Sequence, residues 1–283
     1  MPVPLSSIIQ PHELITLVQN EPVIIIDASA APNALSNYNH SHLKGALHVD
    51  LNTHLAKVPE DAANSGRHPL PSAKDFAVTL GRLGISAQSH VIVYDDKNGA
   101  NAAARFWWML RATGHTKVQV LNGGMAMAIN AGFPISNVNE VASPVDPYPF
   151  TQWQLPVSTI NEVEIAAEDS GTVVIDVRDA YRYNGESEPI DLVAGHIPGA
   201  VNIPFCGNFD ADGLFLSANA LREKYTAALG NVNSGDVIIH CGSGVMACHT
   251  LLAIDYAGMP LPKLYVGSWS EWSRNDKNIA TNL

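Results

Sequence analysis

The two halves of this 283-residue chain repeat the same short segments in the same order. Four segment pairs, each separated by 144 to 154 residues, are 23–27 with 173–176, 42–46 with 196–200, 91–95 with 237–241, and 121–124 with 265–268. A spacing of this size is that of a domain and is much longer than the period of a solenoid repeat. The pattern therefore indicates a duplicated domain, and the two halves of the chain are expected to have the same fold.

Several repeated segments are short, apolar throughout and rich in β-branched residues. Stretches with helical character lie between them, and this alternation is typical of parallel sheets that are buried on both faces. The predicted strands are Val23–Ile26, Ala46–Val49, Val91–Tyr94, Val118–Leu121, Val173–Ile175, Ala200–Ile203, Val237–His240 and Leu264–Val266. The predicted fold class is α/β, with two tandem domains, each a small, mostly parallel sheet flanked by helices.

The join between the two halves is rich in residues that interrupt helices. Residues 135–158 contain four prolines together with several Asn, Ser and Val residues. Because proline lacks an amide hydrogen and restricts the residue before it, this stretch is predicted to be a connection. We predict a first domain over residues 1–140, a linker over 141–158 and a second domain over 159–283.

The composition of the chain narrows the classes of function. The net charge of −11 argues against a nucleic-acid-binding protein, which needs a basic face, but it allows a local pocket for a small anion. The longest apolar runs are strand-sized and too short to span a membrane. The first residues lack the basic and apolar regions of a signal peptide, so the expected location is the cytoplasm.

The chain contains three cysteines, and their positions limit what they can do. Cys206, Cys241 and Cys248 are too few and too unevenly spaced for a disulfide framework. Without a Cys-x-x-Cys pair a structural zinc site is not expected, and no other metal or organic cofactor is predicted. Cys241 directly follows a predicted strand and precedes a helical stretch. In parallel α/β sheets ligands bind beyond the carboxyl ends of the strands, so this loop is the expected site.

The loop Cys241-Gly-Ser-Gly-Val-Met-Ala247 suits a reactive anion. Gly242 and Gly244 allow a tight turn whose amide hydrogens point inward. With the positive end of the following helix, these amides form a site for an anion. A cysteine at the mouth of such a site is favoured as the thiolate, which is the reactive form, and a persulfide anion is stabilised in the same way. Cys241 is therefore predicted to be the catalytic nucleophile.

Cysteine-dependent phosphatases are the rival class for a loop of this kind. These enzymes use Cys-x5-Arg, in which the arginine binds the phosphate through two hydrogen bonds. Ala247 occupies the position of that arginine, so phosphatase activity is not predicted.

Taken together, these segments resemble two-domain rhodaneses, the family of thiosulfate and mercaptopyruvate sulfurtransferases. The segments that carry the resemblance are both His-x-x-Gly-Ala sequences, the loop that begins at Cys241, Gly66-Arg-His-Pro-Leu-Pro71 and Tyr265-Val-Gly-Ser-Trp269. The resemblance covers nearly the whole chain. It implies two rhodanese-like domains with an active site between them. It also implies a catalytically silent first domain, consistent with Asp95 at the position equivalent to Cys241.

The resemblance also implies roles for residues around the loop. The uncharged Gly-Ser-Gly sequence is similar to the mercaptopyruvate type, in which the serine, here Ser243, activates the cysteine or polarises the substrate. Arg182 matches a substrate-binding arginine, and a planar guanidinium suits a carboxylate or sulfonate. The other loop residues expected to contact the donor are Gly242, Gly244, Val245 and Met246.

Two positions depart from the family pattern. Asp191 stands where mercaptopyruvate enzymes usually have a second arginine, and Met246 replaces a threonine that is common in the loop. The pair of arginines that would bind the donor carboxylate is therefore incomplete, or its second member comes from elsewhere in the chain.

Four further residues are candidates for the site. His42 matches a first-domain histidine of a proposed proton relay in the resembling family, whereas His196 at the equivalent place in the second half favours a structural role for both. Arg67 and His68 reach the site if their loop folds over it. Trp269 is a candidate for one wall of the cleft.

The predicted function is transfer of sulfane sulfur from 3-mercaptopyruvate to an acceptor through a Cys241 persulfide. The expected partners are a small anionic sulfur donor and either cyanide or a thiol such as thioredoxin, with neither nucleic acid nor a membrane involved. The first alternative is the same chemistry with thiosulfate as donor. The second alternative is a non-catalytic persulfide carrier that serves a protein partner.

Overall fold

A computed structural model describes residues 5–230 and 232–282 and divides the chain into two compact units. The first unit contains the described residues up to Ala56 and Pro71–Gln154, and the second contains Lys57–Leu70 and the described residues from Leu155 onward. Residues 57–70 thus belong to the second unit, although the repeat places them in the first half of the chain. The second unit is therefore assembled from two separate stretches of sequence.

The first unit is a parallel sheet covered by helices. In chain order its elements are β1 (Ile8–Ile9), α1 (Pro11–Asn20), β2 (Val23–Asp27), α2 (Ala34–His40), β3 (His42–Leu43), β4 (Ala46–His48), α3 (Leu51–His54), α4 (Ala73–Arg82), β5 (His90–Tyr94), α5 (Ala102–Arg111), β6 (Val118–Leu121), α6 (Gly124–Asn130) and β7 (Ile135–Ser136). Among the described residues, its main sheet has five strands in the order β1-β6-β5-β2-β4, and β3 pairs antiparallel with β7.

The second unit repeats this plan. Its elements are β8 (Val157–Ser158), α7 (Ile160–Glu168), β9 (Val173–Asp176), α8 (Ala180–Asn184), β10 (Val201–Asn202), α9 (Ala218–Leu229), β11 (Val237–His240), α10 (Met246–Tyr256), β12 (Lys263–Tyr265) and α11 (Ser268–Trp272), with short 3-10 helices at Phe205–Asn208 and Ser234–Asp236. Its sheet, counted over residues 155–230 and 232–282, has five parallel strands in the order β10-β9-β11-β12-β8.

The order of equivalent strands is the same in both sheets. From one edge the first sheet runs β4-β2-β5-β6-β1, and the second runs β10-β9-β11-β12-β8. The eight predicted strands are all present, most with ends shifted by one residue. The central strands β5 and β11 are buried along their whole length, which explains their continuously apolar sequences. The sequence did not predict the two-residue strands β1, β3, β7 and β8, which lie outside the apolar runs used for prediction. The predicted α/β fold class is confirmed.

The repeated His-x-x-Gly-Ala segments have the same structural role in both units. His42 stacks on Tyr38 with ring centroids 4.0 Å apart, and its Nδ1 lies 2.7 Å from the Tyr38 carbonyl oxygen. His196 stacks on Tyr183 at 3.8 Å, and its Nδ1 lies 2.8 Å from the Tyr183 carbonyl oxygen. The tyrosine hydroxyls donate to the carbonyls of equivalent alanines, at 2.6 Å in the first unit and 2.5 Å in the second. Each pair therefore ties a helix to the neighbouring edge strand.

Residues predicted to link the two halves are packed rather than free. Trp153 and Phe150 pack their rings together at 5.4 Å, and both contact Phe76 in the first unit. The amide of Tyr148 donates to the Ala77 carbonyl at 3.0 Å. Further along, Val157–Ser158 forms the edge strand β8 of the second sheet. The prolines in this stretch therefore break helices without producing a loose tether.

The tyrosine–histidine pair predicts a measurable contribution to stability. Tyr183→Phe removes a buried hydroxyl that donates to the Ala200 carbonyl, so it should lower the free energy of unfolding by about 1 kcal/mol. Urea unfolding followed by fluorescence measures this change. Tyr181→Phe is the control because the Tyr181 side chain is exposed. Equal effects of the two substitutions would contradict the structural role assigned to the pair.

Candidate active site

Cys241 lies at the carboxyl end of β11, immediately before the loop that leads into α10. Its side chain is buried. Its amide donates to Ser268 Oγ at 3.2 Å, and its carbonyl accepts from the Trp269 amide at 3.0 Å. The carbonyl of Gly242 accepts from the Ser270 amide at 2.8 Å. The first turn of α11 therefore fixes the backbone on both sides of the cysteine.

The amides of the loop are left available for a ligand. In a trans peptide the carbonyl and the N–H point in opposite directions, so the amides of Gly242 and Ser243 point away from α11. Over the described part of the chain, the amides of Gly242, Ser243 and Val245 donate to no other protein group. Helix α10 starts at Met246, and its positive end adds to the attraction for an anion. This is the geometry predicted from the two glycines.

Gly244 and Ser268 hold the loop in place. Gly244 has a φ of +73°, and a methyl group there would lie 3.0 Å from the Val266 Cα and closer still to the Val266 carbonyl oxygen. Only glycine fits this position without a backbone shift. Ser268 also has a positive φ, of +53°, and its hydroxyl donates to the Tyr265 carbonyl while it accepts from the Cys241 amide. Ser268 was not predicted as a site residue, and its repeat equivalent Gly124 carries no side chain that could have drawn attention to the position.

The equivalent loop of the first unit is closed on its own carboxylate. Asp95 accepts four backbone amides, those of Lys97 and Gly99 at 2.8 Å and those of Asn101 and Ala103 at 3.0 Å. The same turn after the same strand thus binds a carboxyl side chain in the first unit, where burial raises the pKa of Asp95 and the four amides act to lower it. In the second unit Cys241 replaces that side chain, and the amides of Gly242, Ser243 and Val245 donate to no other group among the described residues.

Arg182 is buried next to the loop and is held by Glu188. Its Nε and Nη2 donate to the two Glu188 oxygens at 3.0 and 2.7 Å. Burial acts to lower the pKa of Arg182, but Glu188, Asp191 and Cys241 together raise that pKa above its ordinary value. A methyl group on Gly242 would lie 3.4 Å from Arg182 Nη2, so the guanidinium faces the loop. The predicted arginine is therefore a permanent cation beside Cys241 and not a surface side chain.

Asp191 lies at the centre of a cluster of arginines. Its Oδ1 accepts from Arg67 Nη1 in a very short contact and from Arg274 Nη1 at 2.9 Å. Its Oδ2 lies 3.5 Å from Arg182 Nη2 and accepts no hydrogen bond. Neither Arg274 nor the part played by Asp191 was predicted, because the residues come from stretches far apart in sequence.

His68 contacts the loop serine. Its Nδ1 lies 2.9 Å from Ser243 Oγ, with donor and acceptor set by the tautomer. Arg67 is fixed next to it, since its amide donates to Ser270 Oγ at 3.0 Å. The segment 57–70 thus reaches the Cys241 loop within the second unit, as the sequence suggested for Arg67 and His68.

Trp269 and His42, the two remaining candidate residues, make packing and hydrogen-bond contacts within their own units. Trp269 is fully buried in the core of the second unit, where Arg178 lies 4.5 Å from its ring centroid and its Nε1 donates to the Val193 carbonyl at 2.8 Å. It supports the Cys241 loop through its backbone amide rather than as an exposed wall. His42 belongs to the first unit and has the same stacking contacts as His196.

Buried charges also connect the core of the second unit to the site. Arg178 donates to the Asp176 carboxylate through Nε and Nη2 and to Glu188 at 3.2 Å. Burial acts to raise the pKa of Asp176, but the charges of His240 and Arg178 hold it below its ordinary value. Over residues 5–230 and 232–282, no three His, Cys, Asp or Glu side chains are grouped to hold a metal ion, and no helix is long and apolar enough to cross a membrane.

Known sequences match this chain over most of its length. The rhodanese-like domain family matches residues 10–128 and again residues 159–275. The chain belongs to the rhodanese family. The two matches correspond to the two halves of the repeat, which confirms the resemblance seen in the sequence.

Relatives of this rhodanese are sulfurtransferases. A probable 3-mercaptopyruvate sulfurtransferase from Pseudomonas aeruginosa is 40% identical over 239 residues, which cover 83% of this chain and 82% of that protein. A putative thiosulfate sulfurtransferase from Mycobacterium tuberculosis is 35% identical over 268 residues, 92% of each chain. The solved 3-mercaptopyruvate sulfurtransferase from Leishmania major is 28% identical with a TM-score of 0.82, covering 96% of this chain and 76% of that one. The predicted enzyme class, a sulfurtransferase, is confirmed.

The ion pair between Glu188 and Arg182 predicts how stability changes with pH. Burial acts to raise the pKa of Glu188, but hydrogen bonds from Arg182 and from the Asp191 and Ile190 amides hold it below its ordinary value of 4.5. Such a carboxylate stabilises the fold above pH 4.5, and that stability is lost as the pH falls through the lower pKa of the folded state.

Glu188→Gln should therefore lower the free energy of unfolding at pH 7 by about 3 kcal/mol, because it leaves buried arginines without their carboxylate. It should also make stability less dependent on pH in the acidic range. Urea unfolding at a series of pH values measures both effects. Glu168→Gln, at an exposed position, is the control. A pH profile of the Glu188 variant that parallels the wild-type profile would contradict the assignment.

Proposed function

We propose that this rhodanese transfers sulfane sulfur from 3-mercaptopyruvate to a thiol or cyanide acceptor through a persulfide on Cys241. The observation that carries the proposal is the position of Cys241 at a turn in which the amides of Gly242, Ser243 and Val245 donate to no other group among the described residues. Arg182 adds a positive charge on the same side. These groups favour the thiolate and then the persulfide anion, since both place negative charge at the same point.

The first half of the reaction needs only the donor and the thiolate. The Cys241 thiolate attacks the donor sulfur, the carbon–sulfur bond breaks, and its electron pair passes to the donor carbon as an enolate. The thiol proton of the donor ends on that carbon, which yields pyruvate and leaves the Cys241 persulfide anion. Atoms and electrons balance without a cofactor.

Ser243 is placed to stabilise the enolate oxygen. When His68 carries its proton on Nδ1, it donates to Ser243 Oγ at 2.9 Å and leaves the serine O–H to donate to the ligand. A hydroxyl fixed in this way meets the donor carbonyl as negative charge develops on it.

In the second half of the reaction an acceptor thiolate attacks the outer sulfur and releases the Cys241 thiolate. The acceptor is proposed to be a thiol such as that of thioredoxin, with cyanide as an alternative in an assay. The cytoplasmic location expected from the sequence stays a prediction.

The uncharged loop supports 3-mercaptopyruvate as the donor. Residues 242–245 carry no basic side chain that would pair with a compact dianion such as thiosulfate. Arginines do stand around the loop, and relatives of both names exist, so the two donors must be compared directly.

Steady-state kinetics test the donor and the nucleophile together. The wild-type enzyme should show double-displacement kinetics and a higher kcat/KM for 3-mercaptopyruvate than for thiosulfate, and Cys241→Ser should abolish turnover of both. Activity in Cys241→Ser would overturn the mechanism, and a preference for thiosulfate would overturn the donor. Sulfur transfer to a protein partner without turnover on small acceptors would favour the carrier function.

Ser243→Ala should separate the two donors. Loss of one hydrogen bond to a developing oxyanion typically lowers kcat by roughly 100- to 1,000-fold, and thiosulfate offers no carbonyl for this bond. The variant should therefore lose turnover of 3-mercaptopyruvate and retain most of its turnover of thiosulfate. An equal loss with both donors would show that Ser243 acts on the cysteine or on loop structure instead.

A further inference from the structure

Two guanidinium groups meet over Gly242, the residue next to the nucleophile. A methyl group at Gly242 would lie 3.3 Å from Arg67 Nη2 and 3.4 Å from Arg182 Nη2. These arginines come from different parts of the second unit, the segment 57–70 and helix α8. The backbone next to Cys241 therefore lies close to two cations.

The two arginines differ in how many of their N–H donors are hydrogen-bonded to protein groups. Arg182 gives Nε and Nη2 to Glu188 and is only 3% exposed. Arg67 is 24% exposed and gives Nη1 to Asp191, while its Nη2 has no acceptor among the residues that the structure describes. Arg67 therefore keeps donors that a ligand can use, and Arg182 contributes mainly charge.

Asp191 holds Arg67 in this position. Its carboxylate is fully buried and ties Arg67 to Arg274, which follows α11. Arg274 Nη1 also donates to the Ser270 carbonyl at 2.9 Å, and the Arg67 amide donates to the Ser270 hydroxyl at 3.0 Å. The guanidinium of Arg67 is thus fixed against the same helix that fixes the Cys241 backbone.

A pocket that is open to solvent lies against Arg67, with Arg182 and the Cys241 loop outside its lining. It has a volume of about 400 Å³ and lies within the second unit, and Arg67, His68 and Arg274 form part of its lining. A three-carbon keto acid fits easily in such a space. His68, one of its lining residues, contacts Ser243, and the acidic side chains of Glu60 and Asp61 also line it.

We propose that Arg67 binds the carboxylate of the donor and that Asp191 is the positioning residue for Arg67. Arg67 and Asp191 together replace the arginine that mercaptopyruvate enzymes usually have at position 191. The guanidinium of Arg67 approaches the loop from segment 57–70, and the Asp191 carboxylate holds it in that position. This inference rests on the proposed function for the identity of the donor, but carboxylate binding beside Cys241 can be tested without any donor.

Alkylation of Cys241 by iodoacetate and by iodoacetamide provides that test. The two reagents have nearly the same shape and differ in that only iodoacetate carries a carboxylate. The ratio of their rates at Cys241, measured by peptide mass spectrometry, reports carboxylate binding at the site independently of sulfur transfer. Sulfur transfer is measured in parallel as KM and kcat for 3-mercaptopyruvate.

Arg67→Gln should lower the iodoacetate-to-iodoacetamide ratio and raise KM for 3-mercaptopyruvate, each by roughly 10- to 100-fold, as expected for loss of a charge-assisted hydrogen bond. The iodoacetamide rate reports any change in loop structure or in the thiolate population, and because such a change affects both reagents alike, the ratio removes it. Arg67→Lys should recover only part of the ratio, because an ammonium lacks the planar fork. Arg222→Gln, on α9, is the control and should change neither quantity.

Asp191→Asn should lower the iodoacetate-to-iodoacetamide ratio less than Arg67→Gln does. Added to Arg67→Gln, it should cause no further change in that ratio. An unchanged ratio in Arg67→Gln would overturn the role of Arg67. An equal effect of Asp191→Asn with and without Arg67 would overturn the positioning role. A wild-type preference for thiosulfate, with the alkylation results as expected, would refute the proposed donor and leave the carboxylate site standing.

Discussion

The rest of the second unit depends on one constraint: in the described part of the chain, the amides of Gly242, Ser243 and Val245 have no protein acceptor. Buried N–H groups without a partner are costly, so a turn of this kind requires an anion or water to complete it. The first unit meets the requirement with the carboxylate of Asp95, which accepts four amides. The second unit places Cys241 there, and in the proposed mechanism its thiolate or persulfide is the group that the turn stabilises. One duplicated backbone thus gives a closed loop in one copy and a reactive one in the other.

A group of buried ion pairs lies next to this loop. Glu188 holds Arg182 and Arg178, and Asp191 holds Arg67 and Arg274. The carboxylates are needed because several guanidinium groups close together would repel one another, and burial makes that repulsion stronger. The result is a network of paired arginines and carboxylates beside the Cys241 loop. The same contacts bring segment 57–70, which is remote in sequence, to the catalytic loop.

Much of the fold followed from sequence because the repeat supplies each observation twice. The strands before Asp95 and Cys241 are continuously apolar, and their burial on both faces explains why they could be recognised. The two-residue edge strands β1 and β8 could not be predicted, since they are defined by pairing alone. The tight turn after Cys241 could be anticipated from its glycines, since Gly244 has a positive φ. The links of Asp191 to Arg67 and Arg274 depend on tertiary contacts between distant residues, and no local pattern signals them.

The central claim is that Cys241 carries the transferred sulfur. The most direct measurement is mass spectrometry of peptides from the protein after brief exposure to 3-mercaptopyruvate without acceptor, with persulfides trapped by alkylation. We expect the mass of one sulfur atom to be added to the Cys241 peptide and to disappear when a thiol acceptor is supplied. Sulfur found on Cys206 or Cys248 instead, or on Cys241 but not released to any acceptor, would contradict the account.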